Sequence, residues 1–230
     1  MTKASVVVLA ALALAVCAGA ALAGDIVSMP SANQVGPGEV DLAQYYIHFN
    51  YPYAGLPSHA YFSTMYVGVT DRVELDVWYI DANRAPNETI LNATGLVLSE
   101  RKGDQLDLVV GVRDMGDNLN LVGRGAFVAA AKTLNPPAGP PTKSDTPIWR
   151  LHFGLGTNLG LATNLDRIAK DGAFGGIQAL VTPAIGVIAL WDGTDDIIGV
   201  TYTPDPKGPT FKGGVFGDHL WVGLNYTFKR

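Results

Sequence analysis

The chain has 230 residues, of which 16% are charged, a fraction that argues against a helical membrane protein. Its formal net charge of -5, with no cluster of lysine and arginine, excludes a nucleic-acid-binding surface, because binding to phosphates needs positive charge. The 27 glycines and the 48% of hydrophobic residues are typical of a β-rich chain with many turns.

Residues 1–23 have the pattern of a secretory signal peptide that is removed by cleavage. Lys3 supplies the positive start, residues 6–16 form a short apolar region, and residues 21–23 provide an A-x-A cleavage site. The apolar region is short for a spanning helix of about 20 residues, so cleavage is favoured over an uncleaved membrane anchor. The one cysteine, Cys17, lies in this leader. The mature chain is therefore expected to lack disulfides and thiolate metal sites, and no cofactor or metal is predicted.

Beyond the leader, residues 24–38 are predicted to be irregular, and period-2 alternation of apolar and polar residues from residue 39 onward predicts β-strands. The first strand changes phase, which predicts a bulge near Ala43. The clearest strands fall at residues 72–81, 105–114 and 149–156, each with one apolar face and one polar or charged face. Such a strand is not buried on both faces, so one side of the sheet must meet water or other polar groups.

About eleven segments have this pattern, and residues 135–147, with five prolines, form a loop between two of them. Single-chain bacterial barrels have even strand numbers, so ten or twelve strands are expected, with twelve favoured. The missing strand is expected within residues 26–35 or 210–216. The predicted fold is all-β, an antiparallel up-and-down transmembrane β-barrel over residues 39–230.

The last strand has an apolar residue at every second position and contains the run Gly-Leu-Asn-Tyr-Thr-Phe. In this run, Gly223, Tyr226 and Phe228 resemble the C-terminal β-signal of bacterial outer-membrane β-barrels. The resemblance implies export to the outer membrane, recognition by the barrel assembly machinery, and closure of the last strand against the first. Lys229 and Arg230 are then expected to form a short charged tail beyond the membrane edge.

Three further stretches resemble exported YjbH-like barrel proteins associated with exopolysaccharide secretion: residues 68–74, residues 111–116, and residues 190–193 followed by 198–202. The third stretch contains a Trp-Asp-Gly turn that is part of this likeness. The resemblance implies a role at the cell envelope, and it brings no catalytic residues with it.

The polar faces of the predicted strands supply the candidate lumen-facing residues. These are Arg72, Glu74, Asp76, Asp107, Arg113, Arg150 and His152. Opposite charges in a narrow polar interior pair and hydrogen-bond, so an ion-pair network that fills a small barrel is favoured. The alternative is that these residues form the selectivity lining of a narrow, porin-like pore.

No catalytic motif accompanies the strand pattern. Asp218 and His219 lack the second acidic pair of an outer-membrane protease. Ser58 and His59 are adjacent, and strand neighbours point to opposite faces, so they are not predicted to form a hydrolase dyad. No histidine has the spacing of a metal motif. The chain is therefore predicted not to be an enzyme, with a barrel protease or acyl transferase as the enzymatic alternative.

Together these patterns predict a non-enzymatic barrel of the bacterial outer membrane, acting as an envelope structural protein or a narrow pore. The second resemblance adds a link to exopolysaccharide export. The predicted partners are outer-membrane lipid and the assembly machinery, with no nucleic acid, and no substrate is predicted. The alternative is a soluble exported β-barrel that binds a small apolar ligand, in which the apolar faces would point inward.

Overall fold

Twelve antiparallel strands close into one barrel in the computed structural model, which describes residues 31–50, 58–83, 87–116, 124–134, 148–159, 170–205 and 207–228. Each strand pairs with its neighbours in sequence, and the first strand pairs with the last, so the sheet has no free edge. The predicted all-β, up-and-down architecture is confirmed, and so is the favoured strand number.

The strands run in chain order around the barrel. They are β1 Val40–His48, β2 His59–Gly68, β3 Val73–Ala82, β4 Glu88–Leu98, β5 Asp107–Arg113, β6 Gly125–Leu134, β7 Ile148–Leu159, β8 Lys170–Leu180, β9 Ile185–Trp191, β10 Asp196–Tyr202, β11 Thr210–Phe216 and β12 His219–Phe228. A short 3₁₀ turn, Glu100–Lys102, lies between β4 and β5. The strand that the sequence count missed is β11, one of the two places where it was expected.

Several predicted segments lie outside the described residues. These are the signal peptide, the first part of the segment 24–38, the proline-rich loop 135–147, and the charged tail Lys229 and Arg230. Within the described ranges, no helix is long and apolar enough to cross a membrane.

The predicted bulge near Ala43 is wrong. Strand β1 pairs residue for residue with both β2 and β12 from Val40 to His48. Its apolar residues change phase because β1 supplies apolar side chains to both faces: Tyr45 and Ile47 are buried inside the barrel, while Leu42 faces outward. Register shifts occur instead in β4, between Leu96 and Leu98, and in the pairing of β7 with β8.

The two ends of the barrel differ in what they carry. At the terminal end, β1 begins and β12 ends, and Val40 pairs with Phe228. At the opposite end, here called the distal end, His48 pairs with His59, and Phe216 pairs with His219. The hydrophobic core fills the lumen toward the distal end, with Trp78, Ile80 and Trp221 at 0%, 0% and 1% exposure.

Replacement of Trp78 by alanine is expected to destabilise the barrel by about 3–5 kcal/mol, because a large buried ring leaves a cavity among packed neighbours. The next residue, Tyr79, faces outward at 38% exposure and provides the matched control. Tyr79→Ala is expected to cost less than half as much. Urea titration followed by circular dichroism measures both changes. Equal losses of stability would contradict a lumen that is the core of this barrel.

Candidate functional site

The lumen is the candidate functional site, and two zones of different chemistry fill it. The polar zone, toward the terminal end, contains Asp41, Glu74, Asp76, Asp107, Arg150, His152 and Gln178. The apolar zone, toward the distal end, contains Tyr45, Phe62, Trp78, Phe127, Phe174, Phe216 and Trp221. Both zones follow from the same alternation, because every second residue of each strand points inward.

Inward glycines make room for the rings of the apolar zone. An added Cβ would lie 2.2 to 2.6 Å from a ring carbon at each of four pairs: Gly111 with Phe127, Gly154 with Phe174, Gly199 with Trp221, and Gly223 with Tyr45. Neighbouring rings then meet edge to face, with centroids 6.4 Å apart for Phe127 and Phe174. A twelve-stranded barrel has a narrow interior, so these glycine–ring pairs are how it holds so many aromatic side chains.

Arg150 is the centre of the charged network in the polar zone. Its guanidinium donates to Asp107 at 2.6 Å and to Glu100 at 3.0 Å. It also donates to the hydroxyl of Thr133 at 2.7 Å. Lys132 adds a second cation, 2.9 Å from Glu100. The network joins β5, β6 and β7 to the 3₁₀ turn at the terminal end of the barrel.

The chain before β1 enters the lumen and completes the polar zone. Residues 31–38 carry no helix or strand, and most of them are buried. The backbone N–H of Val35 donates to the Glu74 carboxylate at 2.6 Å, and the Arg150 guanidinium donates to Asn33 Oδ1 at 2.7 Å. The segment passes over Gly68, where an added Cβ would lie 2.0 Å from a backbone oxygen of Gly36. It therefore occupies space that would otherwise be open lumen.

Charged and amide side chains also join the first and last strands. Asp41 accepts hydrogen bonds from Asn225 at 3.1 Å and from Thr227 at 3.0 Å. At this closing seam, the line along which β1 pairs with β12, Gly223 lies beneath the ring of Tyr45. Tyr226 and Phe228 face outward, with ring centroids 4.7 Å apart. The three residues of the β-signal therefore lie at the closing seam, the glycine inside and the two rings outside.

Six of the seven candidate lumen residues lie inside the barrel. Asp76 accepts from Asn92 at 2.5 Å, His152 contacts Gln178 at 2.9 Å, and Arg113 lies 5.0 Å from the centre of the Trp78 ring. Arg72 differs from the other six. It precedes β3, is exposed, and reaches the carbonyl of Val97 at 3.5 Å, because the strand starts one residue later than predicted.

Sequence reasoning missed most of the apolar zone. The inward face of β3 begins with Glu74 and Asp76, but it continues with Trp78 and Ile80 at the same parity. That change from polar to apolar along one face was visible in the sequence. The entry of residues 31–38 into the lumen left no comparable signal, because it depends on contacts with β3 and β7.

Ser58 and His59 come closer than the strand-neighbour argument predicted. Ser58 lies just before β2, so its hydroxyl reaches His59 Nδ1 at 3.3 Å. The Asn83 side chain bonds the same turn: its oxygen accepts from Ser58 N at 2.7 Å, and its nitrogen donates to Ser58 Oγ at 3.0 Å. The three residues form a hydrogen-bonded network that closes the distal ends of β2 and β3.

His219 is packed and hydrogen-bonded at the distal end of the barrel. It is buried, its Nδ1 accepts from the backbone N–H of Asn50 at 3.3 Å, and its ring meets Phe49 edge to face at 5.2 Å. The neighbouring Asp218 is exposed, so the two side chains do not converge on one site. Among the described residues, no group of three or more His, Cys, Asp or Glu side chains could hold a metal ion.

Two cavities adjoin the polar zone. One, of about 790 Å³, opens at the terminal end and is lined by residues 32–37, the 3₁₀ turn and the Arg150 network. The other, of about 160 Å³, is mostly apolar and lies between Ile148, Leu180 and Ile188. Arg150 and Thr133 line both. Because the apolar zone lies beyond them, these cavities are vestibules at one end of the barrel.

Fold and lumen define a closed twelve-stranded antiparallel barrel with a filled interior. No protein-family description matches the sequence, and no curated protein does. Among solved structures, the chain is similar to the N-terminal β-barrel domain of OprF from Pseudomonas aeruginosa, at 12% identity and a TM-score of 0.27. The match covers 84% of this chain and 100% of that domain.

The Glu100 carboxylate gives the barrel a pH-dependent contribution to stability. Partial burial raises the pKa of Glu100, but hydrogen bonds from Lys132 and Thr133 outweigh it, so this pKa lies below its ordinary value. The contribution is therefore complete above the ordinary glutamate pKa of about 4.3 and is lost as the pH falls through the lower folded-state value.

Glu100→Gln is expected to lower the stability at neutral pH and to remove this part of the pH dependence. The stability difference between wild type and variant should shrink as the pH falls from neutral to about 3. Denaturation midpoints across that range measure it. Asp81→Asn, which changes an exposed carboxylate at the distal end, far from the Arg150 network, is the matched control. A stability difference that stays constant with pH would contradict the assignment.

Proposed function

We propose that this chain is a non-enzymatic β-barrel of the bacterial outer membrane that acts as a closed structural protein of the envelope. The observation that carries the proposal is the distribution of apolar residues between the two faces of the sheet. On β3, Val73, Leu75 and Tyr79 are exposed on the outside, while Glu74 and Asp76 are buried inside. Charge inside and apolar side chains outside is the arrangement that suits a barrel surrounded by lipid.

The same arrangement recurs around the barrel. Exposed apolar residues that face outward include Met65, Leu91, Val110, Val128, Leu151, Phe153, Leu155, Val187, Ile198, Val200, Leu220 and Val222. In water, an apolar surface that surrounds a whole protein would drive aggregation. Strands of 9 to 12 residues, such as β1 and β7, have the length needed to cross a hydrocarbon core at a tilt.

Outward aromatic residues lie near both ends of the strands, where the edges of a membrane would fall. Trp149, Tyr202 and Phe228 lie near the terminal end. Tyr61, Tyr79 and Trp191 lie near the distal end. Rings at both edges of an apolar band are typical of membrane barrels, in which they occupy the headgroup level.

The filled lumen favours a structural protein over the narrow, porin-like pore. A conducting pore needs a continuous polar path, and the apolar zone interrupts it with packed rings. The same packing counts against the alternative of a soluble barrel that binds an apolar ligand, because its interior is already occupied. The link to exopolysaccharide export and the recognition of β12 by the assembly machinery remain predictions from sequence resemblance.

Val110→Lys tests the membrane environment directly. Val110 is 45% exposed in the middle of β5, so a lysine there would lie in hydrocarbon and should cost about 2–4 kcal/mol in lipid vesicles. Val69→Lys makes the same change in the turn after β2, at 52% exposure, and should cost less than about 1 kcal/mol. Urea unfolding from vesicles measures both. If both lysines are equally well tolerated, the outer face does not contact lipid.

The closed lumen predicts an absence of steady ion conductance in planar lipid bilayers. A sixteen-stranded porin serves as the positive control, since barrels of that size leave an aqueous channel. Insertion of the protein is checked separately, by recovery from the outer-membrane fraction and by altered gel mobility before and after heating. Stable conductance steps from the inserted wild-type barrel would overturn the structural role and support the pore.

A further inference from the structure

A pair of polar side chains interrupts the apolar outer face of the barrel. Gln44 on β1 and Ser63 on β2 both face outward and lie directly opposite each other in the register of the two strands. Gln44 is exposed and Ser63 is half-buried. Their outward neighbours along the strands are Leu42 and Tyr46 on β1, and Tyr61 and Met65 on β2. In the described part of the barrel, no other outward amide or hydroxyl lies at the middle of a strand.

The pair lies midway between the two ends of the barrel. Gln44 is the central residue of Val40–His48, and Ser63 occupies the fifth position of the ten-residue strand β2. If the barrel spans a membrane, both side chains lie near the bilayer midplane, where water does not reach them. A carboxamide that meets only hydrocarbon loses the hydrogen bonds that it makes in water, and this is unfavourable.

The described residues of the barrel provide no hydrogen-bond partner for the carboxamide of Gln44. Among the described residues, no hydrogen bond joins Gln44 to Ser63 or to any other side chain, although the two residues are cross-strand neighbours. The next outward residue on the other side of Gln44 is Leu224 of β12, which has no polar group on its side chain. The described part of the barrel therefore leaves the carboxamide of Gln44 available to a partner at the outer face.

We propose that the outer face of β1 and β2 around Gln44 binds a second copy of this chain in a two-fold symmetric dimer. A carboxamide carries both donors and an acceptor, so Gln44 can pair with Gln44 of a second copy about a symmetry axis. The small Ser63 beside it lets two barrels approach closely, and Leu42 and Met65 supply apolar contact around the amide pair. The inference rests on the proposed membrane location.

Disulfide cross-linking in lipid vesicles tests the dimer. Cys17 is replaced by serine so that the introduced cysteine is the only thiol. Ser63→Cys places a thiol beside the two-fold axis, and mild oxidation should give a covalent dimer. Phe153→Cys on β7 places a thiol at the middle of an outward face on the opposite side of the barrel. It should give no dimer above the level of random collisions.

Gln44→Leu, combined with Ser63→Cys, separates the amide contact from general contact between barrels. Loss of the interbarrel hydrogen bonds should weaken dimerisation roughly tenfold, measured by cross-linking across a range of protein-to-lipid ratios. Gln44→Asn keeps an amide and should recover part of the loss. The dimer is overturned if Ser63→Cys cross-links no better than Phe153→Cys, or if Gln44→Leu leaves dimerisation unchanged.

Membrane insertion is measured on the same samples by vesicle flotation and by heat-dependent gel mobility. A barrel that floats with the vesicles but does not dimerise overturns this inference and leaves the proposed function intact. A barrel that stays in the aqueous fraction overturns both, because the amide would then be hydrated by water.

Discussion

Pairing of β1 with β12 is the interaction on which the rest of the structure depends. Nine consecutive residue pairs join the two strands. Inside the seam, Asp41 accepts hydrogen bonds from Asn225 and Thr227, and Gly223 makes room for the Tyr45 ring. Once these strands pair, every side chain of the barrel is either inside or outside. The period-2 pattern of the sequence then becomes a division between a lumen and an outer face.

Closure also fixes the volume of the lumen, and the sequence must fill it. The distal part is filled by aromatic rings seated over glycines, and the terminal part by ion pairs around Arg150. Residues 31–38 complete the filling, since Asn33 and Val35 bond to Arg150 and Glu74. A charge in a narrow interior is stable only when it is paired, so the ion pairs and hydrogen bonds of the polar zone stabilise the barrel from inside.

Alternation and turn residues predicted the strand pattern and the closed barrel, because both depend on local sequence. The inward direction of Asp107, Arg150 and His152 followed from the same alternation. The apolar zone was overlooked because strands with apolar residues on both faces, such as β1, have no clean period-2 signal, which led to the wrong bulge at Ala43. The positions of Glu100 and Asn33 depend on residues far away in the chain, and no local pattern encodes them.

A filled lumen has a consequence for where this barrel can act. In the described part of the barrel, the aromatic rings of the apolar zone interrupt the polar lining between the terminal and distal ends. For the proposed closed barrel, interactions take place at the two ends or on the outer face. At the middle of the described strands, the outer face is apolar except at Gln44 and Ser63, and an apolar surface gains little from leaving lipid for another apolar surface. Specific recognition within a membrane therefore needs a polar group, and this barrel presents one on the outer face of β1.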